Sequence, residues 1–321
     1  MCADNNENSR PITPSEEDCC HSACDPCIFD VHKKLLEEYE RKKKQNIKIQ
    51  NKQNILHLYK YKNFVVFNIE ERSECYILIV LKYYENKYKN KRILIDPGQH
   101  VMLHLHDITK PFTPIFFTDD CIEFLIRLYP NGKFSQYLKN IKIGDIIHVR
   151  GPYGNFKYES NSFQTIIMFS MGSGITAVYH IAKSIVENEL EETKIHLIGG
   201  FKNILQIPLK KELQTLSDYW NFKCTLHISQ MQSNSDIFIL ISFLKIFFFS
   251  KYLFIFYILD VCNIHGINIK SGRLDKKSIF EVLKNKIAST TLILICGTSQ
   301  FNNYVEQWIK CMNYRHIHVF K

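Results

Sequence analysis

The stretch Phe169-Ser-Met-Gly-Ser-Gly-Ile-Thr176 constrains this chain more than any other. Thr165-Ile-Ile-Met-Phe169 is an apolar run of the kind that forms a buried strand. It runs into Gly172-Ser-Gly-Ile-Thr176, and Val178 to Val186 then shows helical apolar spacing. A strand, a glycine turn and a helix in that order present backbone N–H groups at the helix N-terminus. Such an end suits an anion, most often the phosphate of a nucleotide. Gly-x-Gly pairs also occur in ordinary strand-to-helix turns, so the company of this one matters. A second glycine-centred turn lies near residue 132 and a third at Cys296-Gly297.

With 321 residues, 45% of them hydrophobic, the chain can bury a full core, most simply as two domains. Lys and Arg exceed Asp and Glu by 41 to 32, for a formal charge of +9. That surplus favours acidic partners. The basic residues are mostly scattered lysines. The densest run, Arg41-Lys-Lys-Lys44, lies in a charged helical stretch, and no aromatic-basic stripe suggests a nucleic-acid groove. An acidic protein partner is therefore expected and nucleic acid is not. Residues 1–18 are polar and acidic, unlike a signal peptide, and the chain holds eleven cysteines. The expectation is a reducing, cytoplasmic location.

Three blocks follow one another. Residues 1–50 hold a cysteine-rich segment and a charged helix. Residues 55–158 alternate short apolar runs with turns, as an antiparallel β-barrel would; Cys75–Leu81, Val101–Leu105 and Cys121–Leu128 are examples. Residues 163–321 alternate strands and helices, the βα rhythm of a parallel sheet. The expected fold is thus α/β plus β: an antiparallel barrel followed by a parallel α/β domain. One segment interrupts the rhythm, an apolar insert at about 231–266. Within it Ile237 to Leu259 is long enough to span a bilayer, but Lys245 and Lys251 would be costly there. It reads as a membrane anchor, an apolar insertion, or translated non-coding sequence from a retained intron. Its low-complexity Phe/Ile/Tyr composition favours the last. Membrane association follows only if the 237–259 stretch is a real part of the chain.

Seven motifs occur in order: Pro97-Gly-Gln-His100, Lys110-Pro-Phe-Thr-Pro114, Gly132-Lys-Phe-Ser-Gln-Tyr-Leu138, Gly144-Asp145, Arg150-Gly-Pro-Tyr-Gly154, Gly172-Ser-Gly-Ile-Thr176 and Cys296-Gly297. Each is weak alone. Together, from about residue 70 to the end, they resemble the ferredoxin–NADP reductase superfamily, and most closely its cytochrome b5 reductase branch. The resemblance implies FAD and NADH as cofactors and cytochrome b5, or a similar one-electron acceptor, as partner.

By that resemblance Lys110, Phe112, Thr113 and Pro114 form the flavin motif. Lys110 stands where the family has arginine, a point charge in place of a fork. Phe112 stands for tyrosine and keeps the stacking face. Gly132, Lys133, Phe134 and Ser135 match the second phosphate contact at the start of a short helix, and Arg127 matches a basic position near the FAD. Gly172, Ser173, Gly174 and Thr176 match the turn that meets both flavin and nicotinamide nucleotide, with Met171 at the family's first glycine and Ala177 at its proline. Cys296 and Gly297 match the pair beside the nicotinamide, and Phe320 the terminal aromatic near the flavin. Thr176 and Cys296 are thereby implied to be catalytic. Arg150–Gly154 closes the barrel as a tight turn.

Gln230, following the strand Cys224–Ser229, falls where an acidic residue favours NADH in the family. It is not acidic, and no Arg or Lys adjoins it in sequence. NADH is kept by resemblance. At the N-terminus, Cys19-Cys20-His-Ser-Ala-Cys24-Asp-Pro-Cys27 resembles a small oxidoreductase-like domain that precedes some relatives of this family. Four thiols so close could hold zinc, but adjacent Cys19 and Cys20 share one site poorly, and structural or redox use serves as well. His104 and His106, two apart on one strand face, lack a third ligand. No metal is expected. The implied activity is FAD-dependent transfer of a hydride from NADH and of single electrons to cytochrome b5. The alternatives are a related flavin reductase with another acceptor, or a degenerate reductase-like interaction protein.

Overall fold

The computed structural model describes residues 13–16, 29, 32, 33, 36, 37, 40, 53–84, 91–230 and 265–320. Residues 1–52 and 53–321 are separate compact units. The N-terminal cysteines, the Arg41–Lys44 run and all of the insert except its last residues lie outside the described residues.

The second unit begins with a seven-stranded antiparallel sheet. Its strands are β2 (Lys62–Ser73), β3 (Tyr76–Lys82), β5 (His100–Leu105), β6 (Ile108–Phe112), β7 (Phe116–Phe117), β8 (Cys121–Arg127) and β9 (Ile146–Tyr153), in the order β6-β5-β9-β2-β3-β8-β7. The short strands β1 (Gln53–Asn54) and β4 (Lys91–Arg92) pair with each other, in parallel, beside it. The sheet curls round a core in which Phe64, Leu81, Leu103, Ile122, Phe124 and Ile147 are fully buried. Between β8 and β9, helix α1 (Lys133–Asn140) lays Phe134 and Leu138 on this core. His104 lies on β5, but His106 has left the strand into a turn with φ +52°, so the two histidines share no strand face.

The second sheet is parallel throughout: β10 (Thr165–Met171), β11 (Lys194–Phe201), β12 (Phe222–Ile228), β13 (Ile267–Ser271), β14 (Thr291–Cys296) and β15 (Ile317–Phe320), ordered β13-β12-β11-β10-β14-β15. β10 lies inside the sheet, and five of its seven residues are buried. Its β-branched and apolar side chains meet helices on both faces, which is why it reads as a continuous apolar run. Helices α2 (Ile175–Val186) and α3 (Lys210–Ser217) cover the face of Ile166 and Met168. Helices α4 (Lys276–Leu283) and α5 (Ser299–Lys310) cover the face of Ile167 and Phe169. Tyr76, Leu78 and Leu125 of the antiparallel sheet, with Ile115 from the link between β6 and β7, join the core on the α2 side, so the two sheets are fused through apolar packing. Among the described residues no helix is long and apolar enough to cross a membrane.

Candidate functional site

The carboxyl end of the parallel sheet is where ligands bind in folds of this kind. There β10 ends at Met171 and the chain makes one 3₁₀ turn, Gly172–Gly174, before α2 begins. Gly172 takes φ +55°, a conformation that L side chains rarely adopt. A Cβ on Gly174 would sit 2.1 Å from the Cys296 carbonyl oxygen, so only glycine lets the turn rest on the end of β14. The Thr176 hydroxyl donates to the Ser173 carbonyl at 3.0 Å, fastening the turn from within; Thr176 is 8% exposed.

Two clefts open on either side of this joint. The first, about 350 Å³, is lined by Gly98, His100, Thr113, Phe156, Cys296 and Phe320, among others, and it ends at Gly297. Strand pairing sets Phe320 directly beside Cys296, and Phe320 packs against the rings of Phe156 and His318 at 5.6 and 4.6 Å. This cleft carries no fixed charge. Burial lowers the pKa of both His100 and His318, keeping the rings neutral. Burial also pushes the Cys296 thiol up to about 12, so it stays protonated. The result is an uncharged slot with aromatic walls, able to take a flat conjugated ring.

The second cleft, about 530 Å³, shares Gly297 with the first. Tyr76, Arg127, Tyr129, Gly172 and Ser173 line one side. Lys202, His227, Ser229 and Arg273 line the other. The Arg127 guanidinium lies 5.2 Å from the Tyr129 ring and 5.9 Å from the Tyr76 ring. Among the described residues it has no carboxylate partner. The buried Tyr76 hydroxyl has no hydrogen-bond partner. An arginine with no carboxylate partner, beside a buried tyrosine hydroxyl, suits an anionic, hydrogen-bonding group. Nearby in sequence, α1 starts at Gly132 with no side-chain cap and no acidic residue in its first turn, leaving its positive end open. On these features the residues present fit the diphosphate and ring of a flavin dinucleotide.

The structure thus brings Thr113, Arg127, Gly172, Ser173, Cys296, Gly297 and Phe320 to the two clefts. Others among the expected residues line neither. Phe112 leans on Phe134 at 5.3 Å, within the barrel core, while its neighbours Pro111 and Thr113 face the first cleft. Pro114 is buried and Lys110 is exposed. Ser135 accepts a hydrogen bond from the Tyr129 amide at 2.9 Å. Lys133 pairs with Asp107 at 2.6 Å; hydrogen bonds from Lys133 and Tyr137 hold that exposed carboxyl down at about 2.

Met171 takes a particular place. Its Sδ and Cε lie 2.9 Å from where a Cβ on Gly200 would be, and its Cβ lies 2.9 Å from where one on Gly297 would be. The methionine is thus accommodated by two glycines and forms part of the second cleft's floor. Several lining residues carried no assignment from sequence. His100 could have been flagged from its place in Pro97-Gly-Gln-His100. Tyr76 and Tyr129 gave no signal beyond proximity to Arg127. Lys202 and Arg273 gave none.

Residues 78–158 match the family described as oxidoreductase FAD-binding domain, and residues 8–48 match oxidoreductase-like protein, N-terminal. A human protein named NADH-cytochrome b5 reductase-like is 29% identical over 241 residues, covering 71% of this chain and 75% of that one. NADH–cytochrome b5 reductase 1 of Arabidopsis thaliana is 32% identical over 162 residues, 48% of this chain and 58% of its own. In fold, the chain resembles the cytochrome b5 reductase domain of Ulva prolifera nitrate reductase, with TM-score 0.65 and 18% identity. That match covers 84% of this chain and all of the other. The CS-b5R domains of human Ncb5or, in the NAD+ form, give TM-score 0.64 at 21% identity, covering 82% of this chain and 70% of that one. With an FAD-binding segment at residues 78–158, an oxidoreductase-like segment at residues 8–48 and this two-sheet fold, the chain is similar in sequence to the NADH–cytochrome b5 reductases and in fold to cytochrome b5 reductase domains.

Proposed function

We propose that the chain is an FAD-dependent NADH–cytochrome b5 reductase. One observation carries the reading: a neutral aromatic slot and a cationic cleft meet at Gly297, under the Gly172–Gly174 turn. A flavin ring in the first and a nicotinamide reaching it from the second would be brought face to face there. FAD, when bound, supplies the conversion of a two-electron hydride donor into single electrons. This chain's residues position and shield. Residues 55–158 form the flavin domain and residues 163–321 the nucleotide domain.

Arg127 and the open end of α1, with Gly132 to Ser135, hold the FAD diphosphate; Lys110 adds a second positive charge. Thr113 lines the flavin slot from the barrel side, and Phe112 and Pro114, which line neither cleft, would support it from the chain on either side. Phe320 and Cys296 wall the slot. A protonated thiol is apolar enough to exclude water and too weakly acidic to act as a nucleophile. Thr176 keeps the turn closed so that Gly172, Ser173 and Gly174 present backbone, not side chain, to the reacting rings. The formal charge of +9 would draw an acidic haem protein to the chain and make turnover fall as salt rises.

Met171 supports a second reading. It fills space on the cleft floor between Gly200 and Gly297, and a chain whose nucleotide no longer docks would persist as a reductase-like interaction protein. Steady-state reduction of ferric cytochrome b5 by NADH, followed at the haem absorbance with the full-length flavin-loaded chain, separates these readings. The enzyme reading expects salt-sensitive haem reduction. Reduction of ferricyanide but not of cytochrome b5 would remove the acceptor assignment, and reduction of neither would leave the interaction protein.

A further inference from the structure

A groove at the opposite end of the parallel sheet takes no part in cofactor binding. It measures about 460 Å³ and lies where β10, β11 and β12 begin, between the sheet and α4. β11 runs eight residues, from Lys194 in this groove to Phe201 in the second cleft. The two sites are therefore separated by about 20 Å of strand.

Strand alternation explains the groove. On the α4 face, β10, β11 and β14 carry Ile167, Phe169, Ile198, Ile293 and Ile295 in an apolar core. Pairing carries that face outward to polar residues. Ile198 stands beside Thr225, Thr225 beside Asn268, and His227 beside Lys270. One layer below Ile198, His196 stands beside Lys223. The apolar residues of β12 and β13, Cys224, Leu226, Ile228 and Ile267, all turn to the other core. A parallel sheet covered by helices is ordinarily apolar on both faces. Here apolar packing under α4 stops at β11, and a polar floor replaces it.

The floor is ordered and its walls are cationic. His196 Nε2 and Thr225 Oγ1 are 2.9 Å apart, and Thr225 is buried. Buried Asn221 donates to the Thr193 carbonyl at 3.2 Å, and its Oδ1 has no hydrogen-bond partner. Lys194, Lys223, Lys270 and Lys286 line the groove, and Glu281 is the one acidic residue with them. None of the four lysines has a carboxylate partner among the described residues. Burial, with Lys223, Lys286 and Lys270, lowers the pKa of His196 to about 4, so three of these charges act on one point. Trp220 stands on the rim, 70% exposed.

Four ammonium groups against one carboxylate call for a ligand with several negative charges. Ammonium groups are compact point charges that suit phosphate oxygens. The volume is that of a small-molecule site. We propose that this groove binds the phosphate chain of a small polyphosphate, free or carried by a nucleotide, at a site separate from both cofactor clefts. The four lysines meet the phosphates, and Trp220 offers a stacking face to a base when one is attached.

The test is calorimetric titration of the full-length chain, with FAD supplied, using inorganic tripolyphosphate with and without excess NAD+. One equivalent should bind, and NAD+ should not compete. Lys223→Ala, Lys270→Ala and Lys286→Ala should each weaken binding about three- to tenfold. Lys310→Ala removes the same charge from a surface pair with Glu306 and should change binding by less than about twofold. ATP is the second probe. Tighter binding of ATP than of tripolyphosphate, with the margin lost in Trp220→Ala, assigns the phosphates to a nucleotide, and equal binding assigns them to a free polyphosphate. Binding of neither probe, competition by NAD+, or an equal loss in Lys310→Ala would overturn the site. Tighter binding of hexaglutamate than of either probe would also overturn it, in favour of an acidic protein segment.

Discussion

Two helices of this molecule begin at glycine after a strand, and the chain holds them in opposite ways. Helix α1, behind Gly132, buries only Phe134, Ser135 and Leu138. Helix α2, behind Gly172 and Gly174, buries ten of its twelve residues. A Cβ on Gly132 would meet only the Ser135 hydroxyl and the Tyr129 Cβ, each at 3.1 Å. A Cβ on Gly174 would drive into the Cys296 carbonyl. The first turn lies at the surface and leaves the positive end of α1 uncapped; the second is a joint in the core that also fixes where two clefts meet. Similar glycine-led segments therefore carry different obligations, and the surroundings decide which.

The largest expected effect tests that contrast. Gly174→Ala must displace the end of β14 and should destabilise the fold by more than about 3 kcal/mol or prevent folding, whereas Gly132→Ala should cost about 1 kcal/mol or less. Denaturant unfolding of both variants checks this, and equal losses would break the comparison.

Next in size is a pH effect shared by two histidines, His180 on α2 and His196 on β11, whose pKa burial lowers to about 4. Burial, reinforced by Lys183, lowers the pKa of His180 from its ordinary value to about 4. The folded state then binds fewer protons than the unfolded state between about pH 6.5 and pH 4, so stability must fall as pH falls through that window. The loss by pH 4 is at most about 3 kcal/mol from this residue. His180→Gln should flatten the profile in part. An unchanged slope would remove His180 as a cause.

Arg127→Ala should then weaken retention of FAD by about ten- to a hundredfold, with Arg127→Lys recovering part of it. Flavin content after gel filtration reads this out. Smallest of all, Lys133→Ala on the exposed face of α1 should leave the unfolding midpoint in place, because its partnership with Asp107 is made in solvent. A clear drop would mean that the start of α1 is less free than its exposure implies.

How much of this was legible in the sequence follows the same division. β10, the Gly172 turn, α2 and β14 were readable because apolar runs buried on both faces end in glycine. Elements that depend on edges were not. β13 reads as a polar run after the apolar insert, and β15 is four half-buried residues at the chain's end. β2 is twelve residues long, but its two register shifts blur any alternation. In the candidate site, Arg127, Cys296 and Phe320 stood out because each adjoins a strand end in a known order. Lys202 and Arg273 were invisible: a lysine and an arginine among many, made neighbours only by three parallel strand ends. Gln230 has no cation beside it in sequence, yet its amide donates to the Lys202 carbonyl at 2.7 Å. Phe112 lines neither cleft for a related reason. The alternation of β6 turns it toward Phe134 and hands the slot to Pro111 and Thr113.

The central claim is that a flavin slot and a dinucleotide cleft meet at Gly297 and work on one another. Anaerobic addition of NADH to the purified full-length chain tests it most directly. The account predicts a yellow protein whose flavin absorbance bleaches on mixing. A folded chain that keeps its yellow colour after NADH and after NADPH, or that holds no flavin at all when FAD is supplied, would contradict it.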